Sequence, residues 1–194
     1  MQIRSIGIIG AGTMGNGIAQ VAAGAGFDVI LLDINDDALE KGLAALSKSL
    51  DRLIKKESIT SEQKAQTLAR IKTTTLYTDL AAVSLVIEAA TENQAIKEKI
   101  LAQVDQVVSK ETIIASNTSS ISITHLGSFN SRPERFIGIH FFNPPPLMAL
   151  LEVIMGKQTS PETLKAVLAM ATKMGKEPIT VQSSPGFVVN RILL

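Results

Sequence analysis

The sequence predicts an α/β protein of the Rossmann type, a doubly wound and mostly parallel sheet with a helical hairpin inserted after the second strand. Three observations lead there. Short β-branched runs alternate with longer segments of helical period, the pattern of repeated βαβ units. The glycine loop Gly10-Ala11-Gly12-Thr13-Met14-Gly15 follows the first apolar run. An acid, Asp33, closes the second run.

Strands are expected over residues 5–9, 28–33, 73–75 (weakly), 85–88, 112–116, 136–140, 151–155 and 178–181. Between them, Met14, Ile18, Val21, Ala22 and Ala25 share one helical face, and Ile96, Ile100 and Val104 share another. Residues 36–71 are charged and carry the stripe Leu39, Leu43, Leu46, Leu50, Leu53 and Ile54, which reads as the inserted hairpin. Ser61 is expected to cap its second helix, although Lys64 cannot complete a capping box. The run Asn143-Pro144-Pro145-Pro146 is a rigid turn. Ser183-Ser184-Pro185-Gly186 marks the expected boundary between a domain over 1–184 and, over 185–194, the start of a truncated helical domain. The stretch from Gly186 reads as a helix beginning with no stop signal.

Composition narrows the function classes. Lys and Arg number 19 against 18 Asp and Glu, a formal charge of +1, and no basic stripe interleaves with aromatics, so nucleic acid is not an expected partner. The absence of cysteine excludes disulfides and thiolate catalysis, and two histidines are too few for most zinc sites, so no metal is expected. The N-terminal apolar run is broken by glycines and lacks the long uninterrupted stretch of a signal peptide or membrane span. No membrane is expected as a partner, and a cytoplasmic setting is compatible.

The loop from Gly10 to Gly15 matches G-x-G-x-x-G in the context that gives the pattern its meaning, between a strand and a helix. The first glycine permits the tight turn, the second lets backbone approach a pyrophosphate, and the third lets helix pack on strand. Unpaired amides at the helix start, in Thr13 and Met14, then face the phosphates. Asp33 is placed to accept hydrogen bonds from the ribose hydroxyls and would repel a 2′-phosphate, so NAD is favoured over NADP.

His140 ends the apolar run 136–139, and ligands of open parallel sheets sit beyond the carboxyl ends of the strands. Ser119 lies in a hydroxyl-rich cluster after another run, on the same rim. Glu152 interrupts the run Leu150 to Ile154, and a buried carboxylate there needs a partner. Taken singly, His140 could cap a turn, Glu152 could face solvent on an edge strand and Ser119 could cap a helix. Together His140 and Glu152 form the base-plus-orienter arrangement of a proton-transfer site.

Gly10 to Gly15, Val86 to Ala89, Ser116 to Ser120, His140 to Pro144, Leu151 to Val153 and Pro185 to Arg191 together resemble, in order and spacing, the motif series of the 3-hydroxyacyl-CoA dehydrogenase family, especially its bacterial 3-hydroxybutyryl-CoA members. The resemblance implies that His140 is the acid–base group, oriented and electrostatically supported by Glu152. It implies that Ser119 and Asn190 hydrogen-bond the reacting oxygen and the neighbouring carbonyl. Glu92, Lys97 and Asn143 would lie around the nicotinamide half of the cofactor. Ser49 and Lys56 match positions that contact the coenzyme A part of an acyl-CoA substrate. A helical domain that closes the acyl pocket and makes a homodimer or higher homo-oligomer would be absent here. Two other readings are a non-catalytic dinucleotide-binding module, which has no use for His140 with Glu152, and a related β-hydroxyacid dehydrogenase, which would use a lysine on a later helix.

Overall fold

The computed structural model describes residues 2–184 and 186–193, without the side chains of Asn190 and Leu193. An eight-stranded sheet is built from β1 (Ser5–Ile9), β2 (Asp28–Leu32), β3 (Ile71–Thr74), β4 (Leu85–Glu88), β5 (Ile113–Ser116), β6 (Phe136–Phe141), β7 (Leu150–Met155) and β8 (Glu177–Gln182). Their order is β3-β2-β1-β4-β5-β6-β7-β8. Six strands run parallel, and the direction reverses once, between β6 and β7. The final pair, β7 and β8, is parallel again. The Rossmann-type expectation therefore holds, with every expected strand present within a few residues of its bounds.

Helices cover both faces, which is why the strands read as apolar runs rather than as alternations. On one face α1 (Thr13–Gly24), α2 (Asp36–Lys55) and α6 (Pro161–Lys173) bury Ile18, Leu39, Leu46 and Val167 against Ile6, Ile8 and Leu31. On the other, α4 (Gln94–Val107) and α5 (Ile123–Gly127) bury Leu101, Val104 and Leu126 against Val86 and Ile114. Each such side chain contributes about 1.5–3 kcal/mol through removal from water.

The inserted hairpin is α2 followed by α3 (Ser61–Ala69). Its cap corrects the expectation for Ser61: the N-cap is Thr60, whose hydroxyl accepts from the Gln63 amide while the Gln63 side chain accepts from the Thr60 amide. The box is complete one residue earlier because Gln63 serves where Lys64 cannot. The buried face of α4 is also shifted from the one expected. Ile96 is 48% exposed, while Lys97 is fully buried beside Leu101 and Val104.

Burial of Lys97 has a local cause. Its ammonium lies 2.6 Å from Glu88 Oε2 and 3.3 Å from Ser116 Oγ, and the Ser116 hydroxyl donates to the same Glu88 oxygen at 2.8 Å. The other carboxylate oxygen accepts from the Ala90 amide at 2.9 Å. Glu88 and Ser116 end β4 and β5, so this cluster, wholly removed from solvent, clamps α4 to the carboxyl rim of the sheet. An ion pair in this setting offsets its own desolvation only while both partners remain.

Removing one partner is therefore expected to cost more than removing the charge from both. Lys97→Met should destabilise the fold by about 3–5 kcal/mol in denaturant titration. The double variant Lys97→Met with Glu88→Gln should recover part of that loss, and equal stability of the single and double variants would contradict the charge argument.

Candidate active site

The one antiparallel step in the sheet places His140 of β6 directly opposite Glu152 of β7. Directly paired residues project to the same face, within reach of each other. His140 Nδ1 and Glu152 Oε2 are 2.7 Å apart, with Glu152 fully buried and His140 5% exposed. A carboxylate can only accept, so Nδ1 carries the hydrogen and Nε2 is the nitrogen available for proton exchange. Glu152 Oε1 accepts from the amides of Val188 and Val189, both at 3.0 Å, where α7 (Val189–Leu193) begins. The Phe142 and Phe187 rings flank the imidazole at 4.5 and 6.0 Å between centroids.

The loop after β5 is fixed by side chains that accept its amides and hydroxyls. Glu92 Oε2 accepts from Thr118 Oγ1 and Glu92 Oε1 from the Ser119 amide, both at 2.8 Å. Asn117 Oδ1 accepts from the Phe141 amide at 2.9 Å, joining this loop to the strand that carries His140. Glu92 and Ser119 are thus held in direct contact. Lys97 lies at the rim too, but its ammonium is enclosed by Glu88 and Ser116. Asn143 is exposed and precedes the cis peptide to Pro144. The Asn190 side chain lies outside the described residues.

The glycine loop sits at the point where the sheet order turns, since β1 lies between β2 and β4 and the loop leaves its carboxyl end. Crevices at such points are where open α/β sheets bind ligands. Gly10 has φ +103°, and Gly15 is so close to the Gly10 carbonyl that an added Cβ would lie 1.7 Å from its oxygen. Gly12 is the N-cap of α1, with no side-chain cap over the first amides. An added Cβ at Gly12 would meet nothing within 4 Å, so open space lies before the amides of Thr13 and Met14. Asp33 Oδ2 accepts from the Ala11 amide at 2.6 Å and Oδ1 from the Ile34 amide at 2.7 Å. Asp33 therefore shapes the loop through both of its carboxylate oxygens. The half-buried Tyr77 phenol is pushed above its ordinary pKa by burial, with the carboxylates of Glu88 and Asp33 adding to the effect.

Ser49 and Lys56 belong to the hairpin and line a cleft of about 470 Å³ closed on its other side by Pro144 to Leu147. Sequence reasoning placed the 116–120 cluster on the rim but missed the structural roles of Glu88, Asn117 and Thr118 there. Glu88 had the same signature as Glu152, a carboxylate in an apolar run. No cluster of three or more His, Cys, Asp or Glu side chains suited to a metal occurs among the described residues, and no helix among them is long and apolar enough to cross a membrane.

Residues 5–184 match the family described as "3-hydroxyacyl-CoA dehydrogenase, NAD binding domain". The chain is 48% identical over 192 residues to a 3-hydroxybutyryl-CoA dehydrogenase of Bradyrhizobium diazoefficiens, covering 99% of this chain and 66% of that protein. It is 50% identical over 188 residues to a probable 3-hydroxybutyryl-CoA dehydrogenase of Deinococcus radiodurans, covering 97% and 67%. The crystal structure of an (S)-3-hydroxybutyryl-CoA dehydrogenase from Ralstonia eutropha superposes with a TM-score of 0.98 at 60% identity, covering 99% of this chain and 68% of that one. The chain thus spans about two thirds of the length of these relatives. With the glycine loop, the reversed β7 and the matched motif order in one place, the chain belongs to the 3-hydroxyacyl-CoA dehydrogenase family, over that family's NAD-binding domain.

Proposed function

We propose that this chain is the cofactor domain of an NAD-dependent oxidoreductase that interconverts short-chain (S)-3-hydroxyacyl-CoA and 3-ketoacyl-CoA thioesters, 3-hydroxybutyryl-CoA and acetoacetyl-CoA among them. The observation that carries the reading is the buried His140–Glu152 hydrogen bond on the rim that also holds the glycine loop. A module that only bound a dinucleotide would gain nothing from it. Buried charge costs stability unless compensated, and this carboxylate is compensated by three donors.

The residues present fit the cofactor. Thr13 and Met14 offer amides to a pyrophosphate across the space left by Gly12, and Asp33 offers carboxylate lone pairs to a ribose. Gly10 and Gly15 allow the turn, and Glu92, Ser119 and Asn143 are assigned to the nicotinamide end, whereas Lys97, enclosed by Glu88 and Ser116, fixes the rim rather than touching the cofactor. When bound, NAD supplies the hydride acceptor, or as NADH the donor. His140 Nε2 takes the proton of the substrate hydroxyl in oxidation and returns it in reduction. Glu152 holds the ring in that tautomer and stabilises the imidazolium as it forms. Ser119 and Asn190 are assigned to the reacting oxygen and the adjacent carbonyl, and Ser49 and Lys56 to the coenzyme A portion.

We read residues 1–184 as the cofactor domain and 185–194 as the beginning of a helical domain, with the family match and the end of β8 supporting the division. A homodimer or higher homo-oligomer is proposed from the family resemblance, and a cytoplasmic setting from the cysteine-free composition with which it is compatible.

Acetoacetyl-CoA-dependent oxidation of NADH, read by absorbance and compared with NADPH, tests the activity. His140→Gln should lower kcat by about 100-fold or more while NADH affinity stays within twofold of about its starting value. Unchanged turnover removes His140 from the mechanism. The glycines separate fold from cofactor: Gly12→Ala should retain the melting temperature and lose NADH binding. Gly15→Ala should lower the melting temperature, because its methyl group would overlap the Gly10 carbonyl. A Gly12→Ala protein that binds NADH normally would dismiss the pyrophosphate assignment.

A further inference from the structure

Beside the cleft that holds Ser49 and Lys56 lies a second, of about 550 Å³, over the outer face of α1. Gln20, Leu53, Pro146 and Leu147 line both, so the two form one groove. No acidic residue lines either part, whereas Arg52, Lys55 and Lys56 line the first and Arg70 and Lys176 the second. The wall formed by the proline turn is pinned: the Lys176 ammonium donates to the Met148 carbonyl at 2.7 Å and to the Pro145 carbonyl at 2.5 Å. The turn packs directly on α1, where a Cβ on Gly17 would lie 2.8 Å from the Pro145 ring.

Gln20 sits where the two clefts join, and it is only 5% exposed. Its carboxamide has no hydrogen-bond partner among the described residues. Among the described residues the enclosed side-chain polar atom left without a partner is Asn130 Nδ2, so the unpaired Gln20 carboxamide is the part of the side chain that reaches the cleft and is open to what fills it. Its neighbours on α1, Ala19, Ala22 and Ala23, are core residues, and an apolar side chain would pack as well if the position served packing alone. The retained carboxamide suits a ligand that brings both a donor and an acceptor.

We propose that Gln20 is a recognition residue for the pantetheine arm of the acyl-CoA thioester, pairing with one of its amides as the arm runs along α1. The inference rests on the acyl-CoA reading above. A secondary amide matches both halves of the Gln20 carboxamide, the NH2 donating to its carbonyl and the Oε1 accepting from its N–H. A phosphate would use only the donor. The cationic lining without acids suits the phosphates at the far end of the same molecule. Gln20 thus reads the neutral part of a ligand whose charged part is held by other residues.

Calorimetric titration of the chain and its Gln20→Met variant with two probes tests this. Acetyl-CoA contains the arm, and adenosine 3′,5′-bisphosphate lacks it. Gln20→Met should weaken acetyl-CoA about 5- to 10-fold, the worth of one paired amide, and leave the bisphosphate and NADH unchanged. S-acetylpantetheine should lose affinity by the same factor if the arm is read independently of its carrier. Unchanged acetyl-CoA binding overturns the proposal, as does an equal loss for acetyl-CoA and bisphosphate, the mark of a deformed cleft. If Gln20→Met melts early, Gln20→Leu repeats the comparison under the same criteria. A wild-type chain that binds NADH but no acetyl-CoA would sink the acyl-CoA reading itself, whereas binding that ignores Gln20 sinks only this assignment.

Discussion

The register between β6 and β7 is the constraint on which the site depends. Because side chains alternate from face to face along a strand, a slip of one residue would send the Glu152 carboxylate away from His140. Nothing at 151 or 153 could replace it, since both are apolar core positions. The register is held by burial: Ile139 and Phe141 on one strand, and Leu151 and Val153 on its neighbour, are all core residues. The hydrophobic packing of the last third of the sheet is therefore what keeps the His140 imidazole next to the Glu152 carboxylate.

The remainder of the rim follows one rule, that acids at or just beyond strand ends are used to fix loops, whether enclosed like Glu88, half-buried like Asp33 or exposed like Glu92. Asp33 holds the glycine loop through Ala11, Glu88 holds the Ala90 turn and the α4 lysine, and Glu92 holds the loop of Ser119. Each carboxylate accepts from groups that a chain leaving a sheet would otherwise leave without partners. The site is thus preorganised by side chains that also complete the backbone's hydrogen bonding. Asp33, assigned to a ligand from the glycine-loop context, and Glu92, assigned from family resemblance, thus carry a structural duty.

Much of this was legible in the sequence, and for physical reasons. Apolar runs with glycine and acid at fixed places report strand ends directly, so the strands, the loop and the His140–Glu152 pair could be read from their positions. The α4 face could not, because Lys97 is a polar residue whose burial depends on an acid on another element, and helical periodicity treats it as surface. The Thr60 cap was misplaced by one residue because a glutamine closed the box in place of an acid. The Gln20 environment was hidden for a related reason: the groove exists only once the proline turn, the hairpin and α1 come together.

The Glu152 carboxylate is divided between two parts of the chain, one oxygen turned to the imidazole and the other to the amides of Val188 and Val189. Drawing that turn away from the sheet would strip an enclosed anion of two of its three donors, and the energetic penalty would fall on the same group that aims the histidine. The position of the segment beyond β8 and the readiness of the imidazole are thereby a single mechanical variable. Whatever holds that segment in place also holds the contact between Glu152 and His140.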